Sequence, residues 1–152
     1  MFKITARLNV NLDPNDILNE FGLEPGGFVQ RTVDQLVIDY CRPYVPASPR
    51  ESLKTSAGVA TEIGSGLVVY DTPYAHYMYM GIVYGPNFLV DINGKLEWRS
   101  YKDRTKKPTN RKLTYDQSYS PMAGPFWVER MKADRMNELL DVVRKAAVQR
   151  GK

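Results

Sequence analysis

The stretch GPFWVERMKADRMNELLDVVRKAA, residues 124–147 of this 152-residue chain, predicts a long amphipathic helix against which the rest of the fold is expected to pack. Gly124-Pro125 is typical of a helix start, because proline lacks only an N–H that the first turn leaves unpaired. Apolar residues then recur at helical spacing and form one stripe: Val128, Met131, Met136, Leu139, Val143 and Ala147. The helix is expected to run almost to the C-terminus.

A second amphipathic helix is predicted over residues 28–41, directly after two glycines. Its apolar positions recur every three or four residues. Arg42-Pro43 should end it, because the residue before a proline avoids the helical conformation. We interpret Cys41, at the end of this stripe, as a small buried hydrophobic residue and not as a nucleophile.

Strands are predicted where apolar and polar residues alternate. This pattern covers residues 2–10, and an Asp-Pro pair then predicts a short helix over residues 13–22. Residues 58–70 are interpreted as two strands joined by a tight hairpin at residues 64–66.

Two segments fit more than one structure. Residues 52–57 are either one further helical turn or an extended stretch, and residues 74–83 are either a strand or a short helix that ends at Gly81. The pattern of residues does not separate these alternatives.

Between residues 85 and 122 the composition shifts to turn-forming residues, which predicts a long loop insertion. Lys95 to Tyr101 is interpreted as a strand after an Asn93-Gly94 turn, and residues 102–110 as a mobile basic loop. Only four acidic residues, at positions 91, 97, 103 and 116, accompany the eight basic residues of this segment. The basic residues are Lys95, Arg99, Lys102, Arg104, Lys106, Lys107, Arg111 and Lys112.

Together these elements predict an α+β fold. An antiparallel β-sheet is expected to pack against an amphipathic N-terminal helix and a long C-terminal helix, with a long basic loop. Residues 1–152 have the usual length of a single domain, and residues 1–22 are candidates for an N-terminal strand or arm. One cysteine excludes an internal disulfide, and together with the single histidine it is too few ligands for structural zinc.

An enzyme is not expected. No acyl-transfer motif surrounds His76, and the glycines at residues 64–66 precede a strand pattern instead of the helix of a phosphate-binding loop. No catalytic, cofactor-binding or metal-binding residue is therefore predicted. The sequence also shows neither a signal-peptide pattern nor an apolar run of about 18 residues, so secretion and membrane insertion are not expected.

Tyrosines are concentrated in one segment, with five of the ten lying between residues 70 and 84. Tyrosine is enriched at protein interfaces but also packs on sheets, so both interpretations stay open. The neighbouring Phe126-Trp127 pair either locks the last helix onto the sheet or anchors a neighbouring subunit.

The basic loop has two interpretations as well. Lys102, Arg104, Lys106 and Lys107 could follow a phosphate backbone, with release of counterions for each charge neutralised, or they could simply be solvated. The sequence lacks the signature of a base-stacking module, so sequence-specific binding of nucleic acid is not expected.

Three blocks with aromatic residues resemble the minor capsid proteins of tailed bacteriophages, a family related to the head-tail joining or neck proteins. The blocks are YAHYMYMGIVYGPN at 74–87, PTNRKLTY at 108–115 and GPFWVERMKAD at 124–134, with the shorter matches YVP at 44–46 and PRESL at 49–53. The resemblance covers roughly residues 25–150.

The resemblance implies a non-enzymatic structural protein of the virion, a subunit of the connector ring that joins the DNA-filled head to the tail and surrounds the DNA exit channel. Its implied partners are other copies of this chain, neighbouring head-closure and tail-terminator proteins, and exiting DNA in transient contact; its implied place is the head-tail junction, after assembly in the host cytoplasm. Candidate subunit contacts are Tyr74, His76, Tyr77, Tyr79, Tyr84, Arg111, Lys112, Phe126 and Trp127. Lys102, Arg104, Lys106 and Lys107 are the candidates for facing DNA.

Overall fold

The computed structural model describes residues 2–4, 25–48 and 50–150. The predicted helix over residues 13–22 and most of the predicted first strand lie outside these residues. The helices are α1 (Phe28–Cys41), α2 (Ser52–Ala60), α3 (Ala75–Met80) and α4 (Trp127–Arg150). The strands are β1 (Phe2–Ile4), β2 (Val68–Tyr70), β3 (Ile82–Gly85), β4 (Asn87–Ile92), β5 (Lys95–Ser100) and β6 (Lys107–Lys112).

The core lies between α1, α4 and β2, as the two amphipathic patterns predicted. The apolar stripe of α4 is buried at Val128, Met131, Leu139 and Val143, and α1 faces it with its own buried stripe. Cys41 is fully buried in this core, which confirms its interpretation as a small hydrophobic residue. Burial of these side chains supplies most of the stabilisation that holds the helices together.

The predicted hairpin over residues 58–70 is wrong. Residues 58–60 end α2, residues 61–67 form an irregular segment with a turn at residues 63–64, and only β2 is a strand. The cause is Asp34 of α1, whose carboxylate is buried and accepts hydrogen bonds from the N–H groups of Gly64 (2.7 Å) and Gly66 (3.1 Å). These bonds bind the glycine turn to a helix instead of to a second strand.

Both ambiguous segments contain helices. Residues 52–57 belong to α2, and the segment 74–83 is a helix that ends before Gly81 and continues as a strand. Gly81 has φ 71°, and a Cβ there would lie 2.7 Å from Cβ of Pro125, so this position needs glycine on both counts. The turn at Gly81 allows α3 to lead directly into β3.

The fold is α+β, and its strands are antiparallel, but within the described residues they form three two-stranded sheets instead of one continuous sheet. The pairs are β1 with β2, β3 with β6, and β4 with β5. Pro86 lies between β3 and β4. Because proline cannot donate a backbone hydrogen bond to a neighbouring strand, it interrupts strand pairing at this point.

Residues 85–122 do not form the predicted long loop. Asn93-Gly94 is the turn of the β4–β5 hairpin, and both of its residues have positive φ (57° and 80°), as a tight hairpin turn requires. The predicted basic loop ends early, because residues 107–112 are strand β6 and pair with β3, where Thr109 also donates its hydroxyl to the Val83 carbonyl (2.6 Å). Within the described residues, no helix has the length and apolar composition needed to cross a membrane.

Candidate interaction surfaces

The predicted subunit-contact residues separate into buried and exposed groups. Tyr79 and Trp127 are buried in the core of the chain, so the structure corrects their assignment to a subunit interface. Tyr74, His76, Arg111, Lys112 and Phe126 are exposed. Tyr77 and Tyr84 are half-buried.

The buried aromatic residues lock α4 against α3 and β2. The ring of Trp127 meets Tyr70 edge-on at 5.2 Å between centroids and Tyr79 at 4.6 Å, which is the favoured T-shaped arrangement. Tyr79 also donates its hydroxyl to Glu129, and its backbone carbonyl accepts from the N–H of Phe126 at 2.9 Å. Burial, followed by the Glu129 hydrogen bond, raises the pKa of Tyr79. Trp127 of the Phe126-Trp127 pair therefore has a packing role.

A tyrosine cluster, which we define as His76, Tyr77 and Tyr84, lies where α3 passes into β3. The rings of Tyr77 and Tyr84 are 4.6 Å apart between centroids, and His76 meets Tyr77 at 5.9 Å and Tyr84 at 6.2 Å. Nζ of Lys106 lies 6.0 Å from the centre of the Tyr77 ring. The cluster thus places a cation beside aromatic rings, and aromatic residues are enriched at contacts between proteins.

Two arginines of the basic segment lie beside aromatic rings. The Arg104 guanidinium is 4.4 Å from the centre of the Tyr101 ring, and that of Arg111 is 5.8 Å from the centre of Trp98. Lys102 and Lys107 are exposed. Eight basic and four acidic residues fall between positions 85 and 116, which leaves thirteen of each sign in the rest of the chain. The entire net charge of +4 is therefore carried by this segment.

The sequence analysis did not predict one exposed surface, the hairpin face, which we define as Leu89, Leu96 and Trp98. Leu89 lies opposite Trp98 in the β4–β5 register, and Leu96 is two residues before Trp98, so all three project from the same face. They are 46%, 63% and 62% exposed. The signal was present, because Leu96 and Trp98 alternate with charged residues after the Asn93-Gly94 turn.

A small cavity of about 170 Å³ opens beside the start of α3 and is here called the Tyr74 cavity. Its lining residues are Pro46, Ala47, Ser48, Leu53, Tyr74 and Met78. Hydrogen bonds hold its neighbourhood in place: Ser120 donates to the Val45 carbonyl (2.7 Å) and Lys54 to the Tyr119 carbonyl (3.1 Å). Its lining is predominantly apolar, which suits an apolar side chain.

Across residues 2–4, 25–48 and 50–150, no three His, Cys, Asp or Glu side chains are grouped closely enough to hold a metal ion. Burial raises the pKa of the Cys41 thiol to about 12, which leaves it protonated and unreactive at neutral pH. What the geometry offers is surface for association: the hairpin face, the tyrosine cluster and the basic segment.

Comparison of the chain with models of protein families, with curated proteins and with solved structures finds no significant match.

Proposed function

We propose that this protein is a structural component of a tailed-phage virion, a subunit of the ring at the head-tail junction. The observation that carries the proposal is the hairpin face, because exposed apolar side chains grouped on one strand pair mark a contact surface for another chain. A subunit of a closed ring needs such surfaces on two sides.

The way in which the three family-like blocks meet also supports the proposal. Ile82 of the first block pairs with Lys112 of the second, and the Tyr115 hydroxyl of the second donates to the Met78 carbonyl of the first at 2.7 Å. The backbone N–H of Phe126 in the third block bonds to the Tyr79 carbonyl of the first. The blocks therefore form one structural unit, as expected if the resemblance reflects a common fold.

Immunogold labelling of purified phage particles tests the proposed position. Antibody against this protein should label the junction of head and tail, and pre-immune serum on the same particles is the control. Label spread over the head shell would contradict a neck position and indicate a shell or decoration protein. Absence of label from intact particles and from disrupted ones would overturn the virion role.

A second candidate function is non-specific DNA binding, favoured by the concentration of the whole net charge between residues 85 and 116. Lys102, Arg104, Lys106 and Lys107 fall within six residues and would each neutralise about one phosphate. A polyanion passing along this segment would meet both the cations and the aromatic rings beside them.

The salt dependence of binding to duplex DNA tests this second function. Affinity should fall steeply as salt rises, and Lys102→Ala combined with Lys107→Ala should reduce the slope of log K against log salt by roughly two. Lys132→Ala combined with Lys145→Ala, which removes the same charge from α4, is the matched control. Absence of binding at about 150 mM salt would overturn the function, and equal slopes for both variants would exclude the basic segment as the binding site.

A further inference from the structure

Most cations of the basic segment, residues 85–116, have no acidic partner. Among the described residues, only one of its Lys and Arg side chains makes an ion pair, Arg99 with Glu97 at 2.7 Å. The cations without such a pair are Lys95, Lys102, Arg104, Lys106, Lys107, Arg111 and Lys112. Because their charge is not compensated locally, they attract polyanions and speed their encounter with this surface.

Three of these cations lie beside an aromatic ring. The distances from the cation to the ring centre are 5.8 Å for Arg111 and Trp98, 4.4 Å for Arg104 and Tyr101, and 6.0 Å for Lys106 and Tyr77. A nucleic acid presents a flat base and a phosphate at every nucleotide, so a ring beside a cation matches one nucleotide. An acidic protein offers the negative charge but not the repeated flat ring.

Trp98 has the most exposed of these three rings. It is 62% exposed, whereas Tyr77 and Tyr101 are half-buried. A base stacks only on an aromatic face that solvent reaches, so Trp98 is the ring of this segment that fits the role. Arg111 is itself exposed and lies beside the indole, where its guanidinium can bind a phosphate of the stacked nucleotide or of the next one.

The arrangement favours an unpaired strand over a duplex. In duplex DNA the base faces are stacked on one another, so Trp98 can stack only on an unpaired base unless the duplex is opened at a cost. The ring-cation pairs also lie on both faces of the hairpin. Trp98 lies opposite Leu89 in the strand register, whereas Tyr101 packs against Phe88, which points to the other face, at 4.7 Å between centroids. Duplex DNA stays nearly straight over about 150 base pairs and meets one face, whereas a single strand can bend around the hairpin.

We infer that the basic segment binds single-stranded DNA, with an unpaired base stacked on Trp98 and a phosphate bound by Arg111. The inference rests on the second candidate function, DNA binding by this segment, and adds the form of the DNA and the side chain that contacts a base. The hairpin face then contacts DNA instead of a neighbouring subunit. No preference among bases is expected, because every base has a flat face.

Tryptophan fluorescence tests the stacking directly. The chain has two tryptophans, and Trp127 is fully buried, so a ligand that stacks on an indole quenches Trp98 alone. Oligo(dT) of about 12 nucleotides, added in about 50 mM salt, should quench this emission and bind more tightly than a duplex of the same length. Polyglutamate of equal charge is the control for a response to charge alone and should leave the emission unchanged.

Substitution of Trp98 measures how much the stacked base contributes. Trp98→Ala should lower the affinity for fluorescently labelled oligo(dT) by about 5- to 150-fold, with unchanged circular dichroism and little change in affinity for duplex DNA. Trp98→Phe, which keeps a ring, should retain part of the lost affinity. Tyr119→Ala is the matched control, because Tyr119 is 45% exposed but lies outside the basic segment, so this variant should bind like wild type.

Substitution of Arg111 measures the phosphate contact. Arg111→Gln should reduce the slope of log K against log salt for oligo(dT) by about 0.7. Lys145→Gln, which removes one exposed charge from α4, is the control and should leave the slope unchanged. Equal slopes for both variants would overturn the assignment of Arg111.

Failure of this inference and failure of the second candidate function are distinguishable. Salt-dependent duplex binding at least as tight as binding of oligo(dT), with no quenching of Trp98, would overturn this inference and leave that function standing. A Trp98→Ala variant that binds oligo(dT) like wild type, or polyglutamate that quenches as strongly as oligo(dT), would overturn the base stacking. Absence of binding to either form of DNA would overturn both.

Discussion

Asp34 shows how a single buried carboxylate can decide the path of a distant segment. It lies on α1, but its oxygens accept hydrogen bonds from the N–H groups of Gly64 and Gly66 and from the Gln30 side chain (2.8 Å). A buried carboxylate that accepts hydrogen bonds from three donors contributes strongly to stability, because its loss leaves buried N–H groups without partners.

We expect Asp34→Ala to lower the free energy of unfolding by about 3 kcal/mol, because it leaves these donors unsatisfied. Asp34→Asn, which keeps the shape and one acceptor, should cost clearly less. Urea unfolding followed by circular dichroism measures both. Asp39→Ala on the exposed side of the same helix is the control and should change stability by less than about 0.5 kcal/mol; an equally small effect of Asp34→Ala would contradict the assigned role.

Cys41 gives a second prediction at the residue scale. Because burial raises the pKa of its thiol to about 12, the reactive thiolate is scarce at pH 8 in the folded protein. A thiol reagent should therefore modify folded protein at least about 100-fold more slowly than protein unfolded in urea, where the thiol has its ordinary pKa. Equal rates in the two states would place the thiol at the surface.

At the scale of elements, the start of α4 holds two adjacent aromatic residues with opposite roles. Trp127 is buried between Tyr70 and Tyr79, whereas Phe126 is exposed and contacts Tyr79 at 5.5 Å between ring centroids. The boundary between core and surface therefore passes between two consecutive residues.

Trp127→Ala should lower the free energy of unfolding by about 3 to 5 kcal/mol, the usual cost of removing a large buried aromatic residue. Phe126→Ala, one position away, should cost about 1 kcal/mol or less, because solvent already reaches the ring. Chemical denaturation of both variants makes the comparison. If the two losses were equal, the packing of α4 through Trp127 would be wrong.

The elements that sequence patterns predicted are those whose signal is local. The helices α1 and α4 carry apolar stripes, and the turn of the β4–β5 hairpin carries an Asn-Gly pair that accepts positive φ. Strand β6 was missed because its sequence KPTNRK shows no alternation of apolar residues. Its pairing with β3, more than twenty residues earlier, is made by the backbone and leaves no trace in side-chain pattern.

The candidate surfaces, like the elements, could be predicted only where their sequence signal is local. Aromatic and basic composition pointed to residues 74–84 and 102–112 but did not distinguish Tyr79, which is buried, from Tyr77 two residues earlier. Their difference in exposure follows from α3, because residues two positions apart lie on nearly opposite sides of a helix. The Tyr74 cavity could not be predicted at all, because its lining comes from three separate stretches of chain.

At the scale of the whole molecule, several buried groups share one dependence on pH. Burial is the first cause that raises the pKa of Cys41, and it raises the pKa values of Tyr70, Tyr79 and Tyr115 in the same direction. In the unfolded chain these groups lose their protons near pH 9 to 10. The folded protein therefore holds more protons than the unfolded chain above about pH 9, and its stability must fall as pH rises through that range.

We expect the free energy of unfolding to fall above about pH 9, with each such group contributing up to roughly 1.4 kcal/mol per pH unit. Urea unfolding at a series of pH values measures the slope. Between pH 9 and about 12, the free energy of unfolding of Cys41→Ala should fall less steeply than that of wild type. At lower pH the two proteins should differ by a constant amount, which comes from deletion of the sulfur. A stability that stays constant up to pH 11 would contradict the protonated burial of these groups.

The packing of α4 against α1 also has a consequence for synthesis on the ribosome. The apolar stripe of α1 is complete at Cys41, but α4, which covers one side of it, begins at Trp127, so 86 further residues must be translated before the two helices can meet. At about 5 to 20 residues per second, the side of α1 that faces α4 waits roughly 4 to 17 s for its partner helix. During that interval the nascent chain exposes the apolar side of α1 that α4 later buries.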